Sequence, residues 1–159
     1  MVFSETQRQT LEAVLNRIIP PDEYPGAVEA GGIEFITRLI ETDEPRLGPI
    51  YTQGLNSLDE EARLQFQRPF AQLSATEQDA LLHLLETGEV KGIWPYVGPL
   101  TFFSTVIARA WEGYLADPAN GGNRDARSWE MIGFLPCSPE SVVVPTAPDY
   151  GAVQKEARR

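Results

Sequence analysis

The stretch "PLTFFSTVIARAWEGYLADP", residues 99–118, decides the fold class. Phe102, Phe103, Val106, Ile107, Ala110, Trp111, Tyr114 and Leu115 recur at helical spacing and hold one apolar face for four turns. The helix follows Pro95 and Pro99, and Asp117-Pro118 ends it. A face this wide needs other helices to cover it.

The chain upstream supplies them. Ser74 with Glu77 three residues later is a capping box, in which each side chain satisfies a backbone N–H at the other residue. It opens "ATEQDALLHLLETGE", whose leucines sit at 81, 82, 84 and 85 and whose Gly88 is a natural stop. Ser4 and Gln7 form the same device at the front of "SETQRQTLEAVLNRIIPP". There Leu11, Val14, Leu15, Ile18 and Ile19 set the period before Pro20-Pro21 breaks it. Ile33, Phe35, Ile36, Leu39 and Ile40 mark a second helix, weakened at its start by Gly31-Gly32. Two further helices are predicted at about 48–56 and 58–68, the second capped by Ser57 with Glu60 in support. No stretch before residue 140 alternates like a strand, and "SVVVP" at 141–145 has nothing to pair with. The expectation is an all-α, compact multi-helix domain of five to six helices over residues 3–135. An irregular Gly-rich loop closes it, and an extended C-terminal tail over 136–159 carries too few large apolar residues for a core of its own.

Bulk composition narrows the function classes. One domain of 159 residues with 42% apolar and 23% charged residues is globular in character. Its net charge of −10, with only Lys91 and Lys155 as lysines, argues against nucleic acid. No apolar run approaches the roughly 20 residues of a membrane span, so no direct membrane insertion is expected. "MVFSETQRQT" lacks a basic and an apolar leader region. The expectation is a cytoplasmic chain as written, or a periplasmic one if a leader was removed or a partner carries the signal.

The chemistry-bearing residues do not assemble into a familiar set. His83 is the single histidine, with Asp79 four residues before it and Thr87 four after, and a nucleophilic site would have to use it. A helix-surface or interface histidine is the simpler reading. No G-x-S-x-G elbow occurs, and Cys137 lies in "FLPCSPE" without a helix N-terminus to activate it. One cysteine and one histidine cannot build a zinc site. No catalytic, cofactor-binding or metal residue is therefore assigned.

The exception to ordinary helix is "ADPANGGNRDARSWEMIGF", residues 116–134. Counted from Asp117, an EF-hand would need acidic ligands where Ala119 and Ser128 stand. The P-loop frame G-x-x-x-x-G-K-[ST] is absent too. What remains is structural. Gly121 and Gly122 allow positive φ, Asn120 and Asn123 tolerate left-handed backbone, and Arg124 and Asp125 can lock the turn by charge-assisted bonds. Trp129, Met131, Ile132 and Phe134 are then expected to pack back on the bundle. A well-ordered closing loop and a loop displayed to a partner both fit these residues.

The same stretch resembles the C-terminal signature of the gluconate 2-dehydrogenase subunit 3 family, close to D-P-x-Y-G-G-N-x-D-x-x-G-W-x-x-I-G-F/Y. Asp117, Pro118, Gly121, Gly122, Asn123, Asp125, Trp129, Ile132, Gly133 and Phe134 match it, and family-like segments lie at 15–36 and 70–89. Ser128 stands where glycine is usual, Asn120 where an aromatic is usual, and the tail is longer and carries Cys137. The resemblance implies a small helical subunit without catalytic residues. Its partner would be an FAD-containing large subunit of the glucose–methanol–choline oxidoreductase type, acting on a sugar or sugar acid, with a cytochrome c as a possible further subunit. It also implies a role in folding, maturing or exporting that flavoprotein. The docking residues it points to are Asn120, Gly121, Gly122, Asn123, Arg124, Asp125, Trp129, Phe134 and Cys137. The odd cysteine leaves open a disulfide to the partner or, more commonly for such thiols, a buried free thiol. Against this stand a transient escort of the flavoprotein and an independent enzyme using His83.

Overall fold

The computed structural model describes residues 2–136, and in them six α-helices and no strand. They are α1 (Glu5–Ile18), α2 (Gly32–Thr42), α3 (Leu47–Phe66), α4 (Ala75–Thr87), α5 (Pro99–Leu115) and α6 (Arg127–Ile132). Short 3₁₀ turns occur at Phe70–Gln72, Pro118–Asn120 and Arg124–Ala126. The all-α expectation holds. The expectations for the tail beyond Pro136, Cys137 included, fall outside the described residues.

Both capping boxes form. Gln7 N donates to Ser4 Oγ at 3.2 Å while Ser4 N donates to Gln7 Oε1 at 2.9 Å. At α4, Glu77 N donates to Ser74 Oγ at 3.4 Å and Ser74 N to Glu77 Oε2 at 2.8 Å. Gly88 ends α4 in the left-handed conformation, φ 75°, which only glycine adopts without strain.

The two helices expected at 48–56 and 58–68 are one continuous helix, α3, and Ser57 is buried in its middle instead of capping. The cause is tertiary. Tyr51, Leu55, Leu58 and Ala62 form a stripe that crosses the supposed break, and all four are buried. Burying such a stripe outweighs the modest preference of serine for a helix start. Gly54 sits on this stripe because the ring of Phe102 lies against it; a Cβ there would meet Phe102 Cδ2 at 2.1 Å.

α5 is the central element and packs against α1, α2, α3 and α4. Its Phe102 and Val106 are fully buried, with Leu11, Val14 and Leu15 of α1, Ile36 of α2 and Leu81 and Leu85 of α4. Two carboxylates lie inside α3. Asp59 Oδ1 accepts from Thr10 Oγ1 and from Phe70 N, both at 3.0 Å, tying α1 and the 3₁₀ turn to α3. Glu61, fully buried, accepts from Lys91 N at 2.8 Å and Gly92 N at 2.6 Å, and so holds the α4–α5 connection. A buried carboxylate is tolerated only when its oxygens are satisfied in this way.

Gly54→Ala tests the α3–α5 contact. Alanine is the better helix former by about 1 kcal/mol, but overpacking a filled core costs about 1–3 kcal/mol. A net loss of up to about 2 kcal/mol is expected in chemical denaturation. A raised midpoint would mean that Phe102 does not hold its place.

Candidate docking surface

The turn after α5 is held by backbone contacts that only glycine permits. A Cβ on Gly122 would lie 2.1 Å from the Gly113 carbonyl oxygen of α5. Gly31, at φ 91°, faces Gly121 in the same manner, with 2.6 Å from its ideal Cβ position to the Gly121 carbonyl oxygen. The two GG pairs of the sequence are thus one joint, which fixes the loop between the start of α2 and the end of α5. Arg124 N completes it by donating to Ala30 O at 3.0 Å.

Asn123 is the pin of this joint. It is fully buried and left-handed, φ 42°. Its Nδ2 donates to Ala116 O at 2.9 Å and its Oδ1 accepts from Ser128 N at 3.0 Å. The hydroxyl of buried Ser128 lies against both Asn123 Oδ1 and the Tyr114 carbonyl. Serine at this position therefore bridges the loop to α5. Asp125 (φ 59°) and Ala126 (φ 56°) follow in the left-handed region, where residues bearing a Cβ are strained.

The residues expected at a docking site divide into two groups. Gly122 and Asn123 are buried and build the loop, and Gly121 is half-buried against α2. Asn120, Arg124, Asp125 and Phe134 are exposed, and Trp129 is half-buried. Arg124 locks the turn as expected, donating to Glu29 O at 3.2 Å with Glu34 Oε2 at 3.9 Å. Asp125 makes no side-chain hydrogen bond among the described residues, so that part of the expected lock does not form. Sequence reasoning missed Arg38, which donates to Ala119 O from α2. Arg38 and Glu34 also line a groove of about 620 Å³, with Phe3 and Ile33 among its apolar walls, that runs beside the loop.

The aromatic segment packs back only in part. Trp129 is anchored, its Nε1 donating to Leu115 O at 2.9 Å, and Phe134 stacks edge-on against it with ring centroids 4.9 Å apart. Met131, Ile132, Phe134 and Leu135 are exposed, Ile132 at 56% and Leu135 at 85%. The reason is the length of α6: it has six residues, and Ser128 is the buried one. Trp111 and Leu115 of α5 are exposed as well, at 45% and 40%. The Tyr114 hydroxyl, which donates to Pro25 O at 2.9 Å, also lies 3.7 Å from the Met131 sulfur. Its burial, with the charge of Asp22, raises its pKa above the usual tyrosine value. Six exposed apolar side chains thus gather where α5 meets α6, the kind of patch that marks interaction sites.

His83 lies beside this patch. It shares a groove of about 320 Å³ with Arg17, Asp79, Glu86 and Trp111. Its ring is 69% exposed, with Nδ1 3.5 Å from Glu86 Oε2. Arg17 engages both oxygens of Asp79, at 2.6 and 2.7 Å, and hydrogen bonding to that carboxylate raises the arginine pKa. The arrangement pairs His83 with no hydroxyl or thiol among the described residues. Nor do the described residues group three or more metal-ligating side chains, and none of their helices is long and apolar enough to cross a membrane.

The joint yields two stability predictions. Asn123→Ala leaves buried groups of Ala116 and Ser128 unpaired, and should cost roughly 2–4 kcal/mol. Ala126→Gly removes left-handed strain and should gain about 1 kcal/mol. Thermal or urea unfolding reads both. Equal midpoints for the two variants would show that the loop does not contribute to global stability.

Compared with known proteins, residues 5–136 match the family described as Gluconate 2-dehydrogenase subunit 3. The chain belongs to that family. No curated protein and no solved structure matches the chain.

Proposed function

We propose that this chain is a noncatalytic small subunit that binds, and stabilises or matures, the FAD-dependent large subunit of a sugar or sugar-acid oxidoreductase of the glucose–methanol–choline type. The family carries the reading that the chain works within a multi-subunit dehydrogenase. The observation that supports it on this molecule is the exposed apolar side chains of Trp111 and Leu115 on α5, Met131 and Ile132 on α6, and Phe134 just beyond it.

The physical role follows from that arrangement. Anchored aromatic side chains lose little conformational freedom on binding, because packing already restricts them. Trp111 is set edge-on against Tyr114, with centroids 5.9 Å apart, and Trp129 is tied to Leu115. These side chains form a firm surface, and covering it removes apolar area from water on both partners. FAD and the chemistry reside in the large subunit on this reading, and a cytochrome c is a further candidate subunit.

The test is co-expression with an FAD-dependent large subunit of the glucose–methanol–choline type, followed by purification and size exclusion. Co-elution at fixed stoichiometry is expected. Replacing Trp111 and Phe134 together by serine should weaken the complex by roughly tenfold or more, since aromatic anchors dominate such interfaces. Recovery of mature, FAD-loaded flavoprotein without this chain would favour a transient escort. Sugar oxidation by this chain alone, lost in His83→Ala, would overturn both.

A further inference from the structure

A second, separate group of apolar side chains lies at the other end of α5. Ile93 is 82% exposed, and Tyr96, Leu100 and Leu64 are each more than half exposed. Ile93 and Tyr96 stand on the α4–α5 connection, residues 88–98, and Leu100 in the first turn of α5. This connection is held firmly. Glu61 gives both carboxylate oxygens to it, one to Lys91 N and one to Gly92 N, while Gln65 Nε2 donates to the first at 2.6 Å. Trp94 packs inward on Phe102, centroids 5.8 Å apart. Burying a carboxylate is costly, and here it fixes the shape of a loop that packs Val90, Trp94 and Val97 on the core and leaves Ile93 and Tyr96 exposed.

The two groups are joined along α5. Leu100, Ser104, Ile107, Ala108, Trp111 and Leu115 recur at spacings of three and four, and lie on the helix's outer side. None is charged. The charged residues of α5, Arg109 and Glu112, border the stripe on one side, where Arg109 meets Glu44 at 2.6 Å in a groove shared with Ser104 and Ala108. From Leu100 to Leu115 the stripe runs about 22 Å. An uncharged outer stripe on the central helix of a chain with net charge −10 is an unpartnered helix face.

We infer that the α4–α5 connection is a second contact point for the same flavoprotein subunit, which covers the outer side of α5 from Ile93 and Tyr96 at one end to Phe134 at the other. This rests on the docking reading above. The occupant is a protein surface with an apolar trough and a neutral or basic border. Two charge facts select it. Around the loop, Glu86 and Glu89 outnumber Lys91, so an anionic lipid surface would be repelled. A second copy of this acidic chain would bring like charges together. Glu61 is a positioning residue for this contact; it touches no partner.

The experiment measures affinity of the purified flavoprotein subunit for three immobilised forms of this chain: the natural one, Ile93→Ser with Tyr96→Ser, and Glu61→Gln. The serine changes are on exposed side chains and leave the core intact. A fall in affinity of roughly tenfold for the double variant is expected. Glu61→Gln should weaken binding less, with faster hydrogen exchange at the Lys91 and Gly92 amides as its own signature. If the natural chain fails to bind, the docking reading itself fails. If the natural chain binds and the double variant matches it, the second contact is wrong and the first stands. Binding of the double variant that is lost only to anionic phospholipid vesicles, or an oligomer of the chain alone that the double variant abolishes, would also overturn it.

Discussion

The structure depends on two close backbone approaches, one across a nine-residue turn and one between segments ninety residues apart. Gly122 meets Gly113 and Gly31 meets Gly121, at separations that leave no room for a Cβ. Dispersion and hydrogen bonding then act between main chains, without the tolerance that side chains provide. With this joint closed, Asn123 is sealed from water and must satisfy its own amide, which it does on Ala116 and Ser128. Those bonds in turn set where α6 starts and how far Trp129 can reach. The aromatic end of the molecule is therefore positioned by glycines it does not touch.

α5 translates that joint into a surface. Its inner side supplies the fully buried Phe102 and Val106, which fix it against four other helices. Its outer side is then rigid by construction and needs no stabilising contact of its own. Leaving that side uncharged exposes apolar area to water, which folding alone does not favour. Among the described residues, the large apolar side chains left exposed lie on this helix, on the segments at its two ends and at Leu64 of α3. Elsewhere, charge covers the surface, much of it in pairs such as Arg68 with Glu77 and Arg109 with Glu44. On the proposed reading this segregation leaves one face to offer to a partner.

How much of this was legible in the sequence depends on the range of the interaction. Ser4-Gln7 and Ser74-Glu77 act within one turn, and both capping boxes were readable. The periodicity of α5 is equally local. The apparent break in α3 misled because Ser57 satisfies the local rule for a cap, while the stripe from Tyr51 to Ala62 is stabilised by partners in other helices. Gly31-Gly32 read as a weakness in a helix; its use appears only when Gly121 arrives from ninety positions away. The loop at 116–134 was recognisable as special, yet its division into buried builders and exposed residues was not. Asn120 and Asn123 look alike in sequence, and a Ser128 beside the second distinguishes them only after folding.

The carboxylates carry the same lesson about charge. In the sequence, Asp59 and Glu61 are two acids among 23, indistinguishable from solvated ones. In the fold each gathers backbone and side-chain donors from separate segments. A surface acid can be replaced with little consequence, since exposed pairs contribute little. A buried one that organises a loop cannot, because its removal leaves several N–H groups without an acceptor at once. Glu61 fixes the connection at one end of α5 as Asn123 fixes the loop at the other. Both are polar groups buried for the sake of geometry, and in both cases the geometry they hold ends in exposed apolar side chains. That the helix is pinned at each end by this same device, with an uncharged stripe between, is the strongest physical argument that its outer side is one surface.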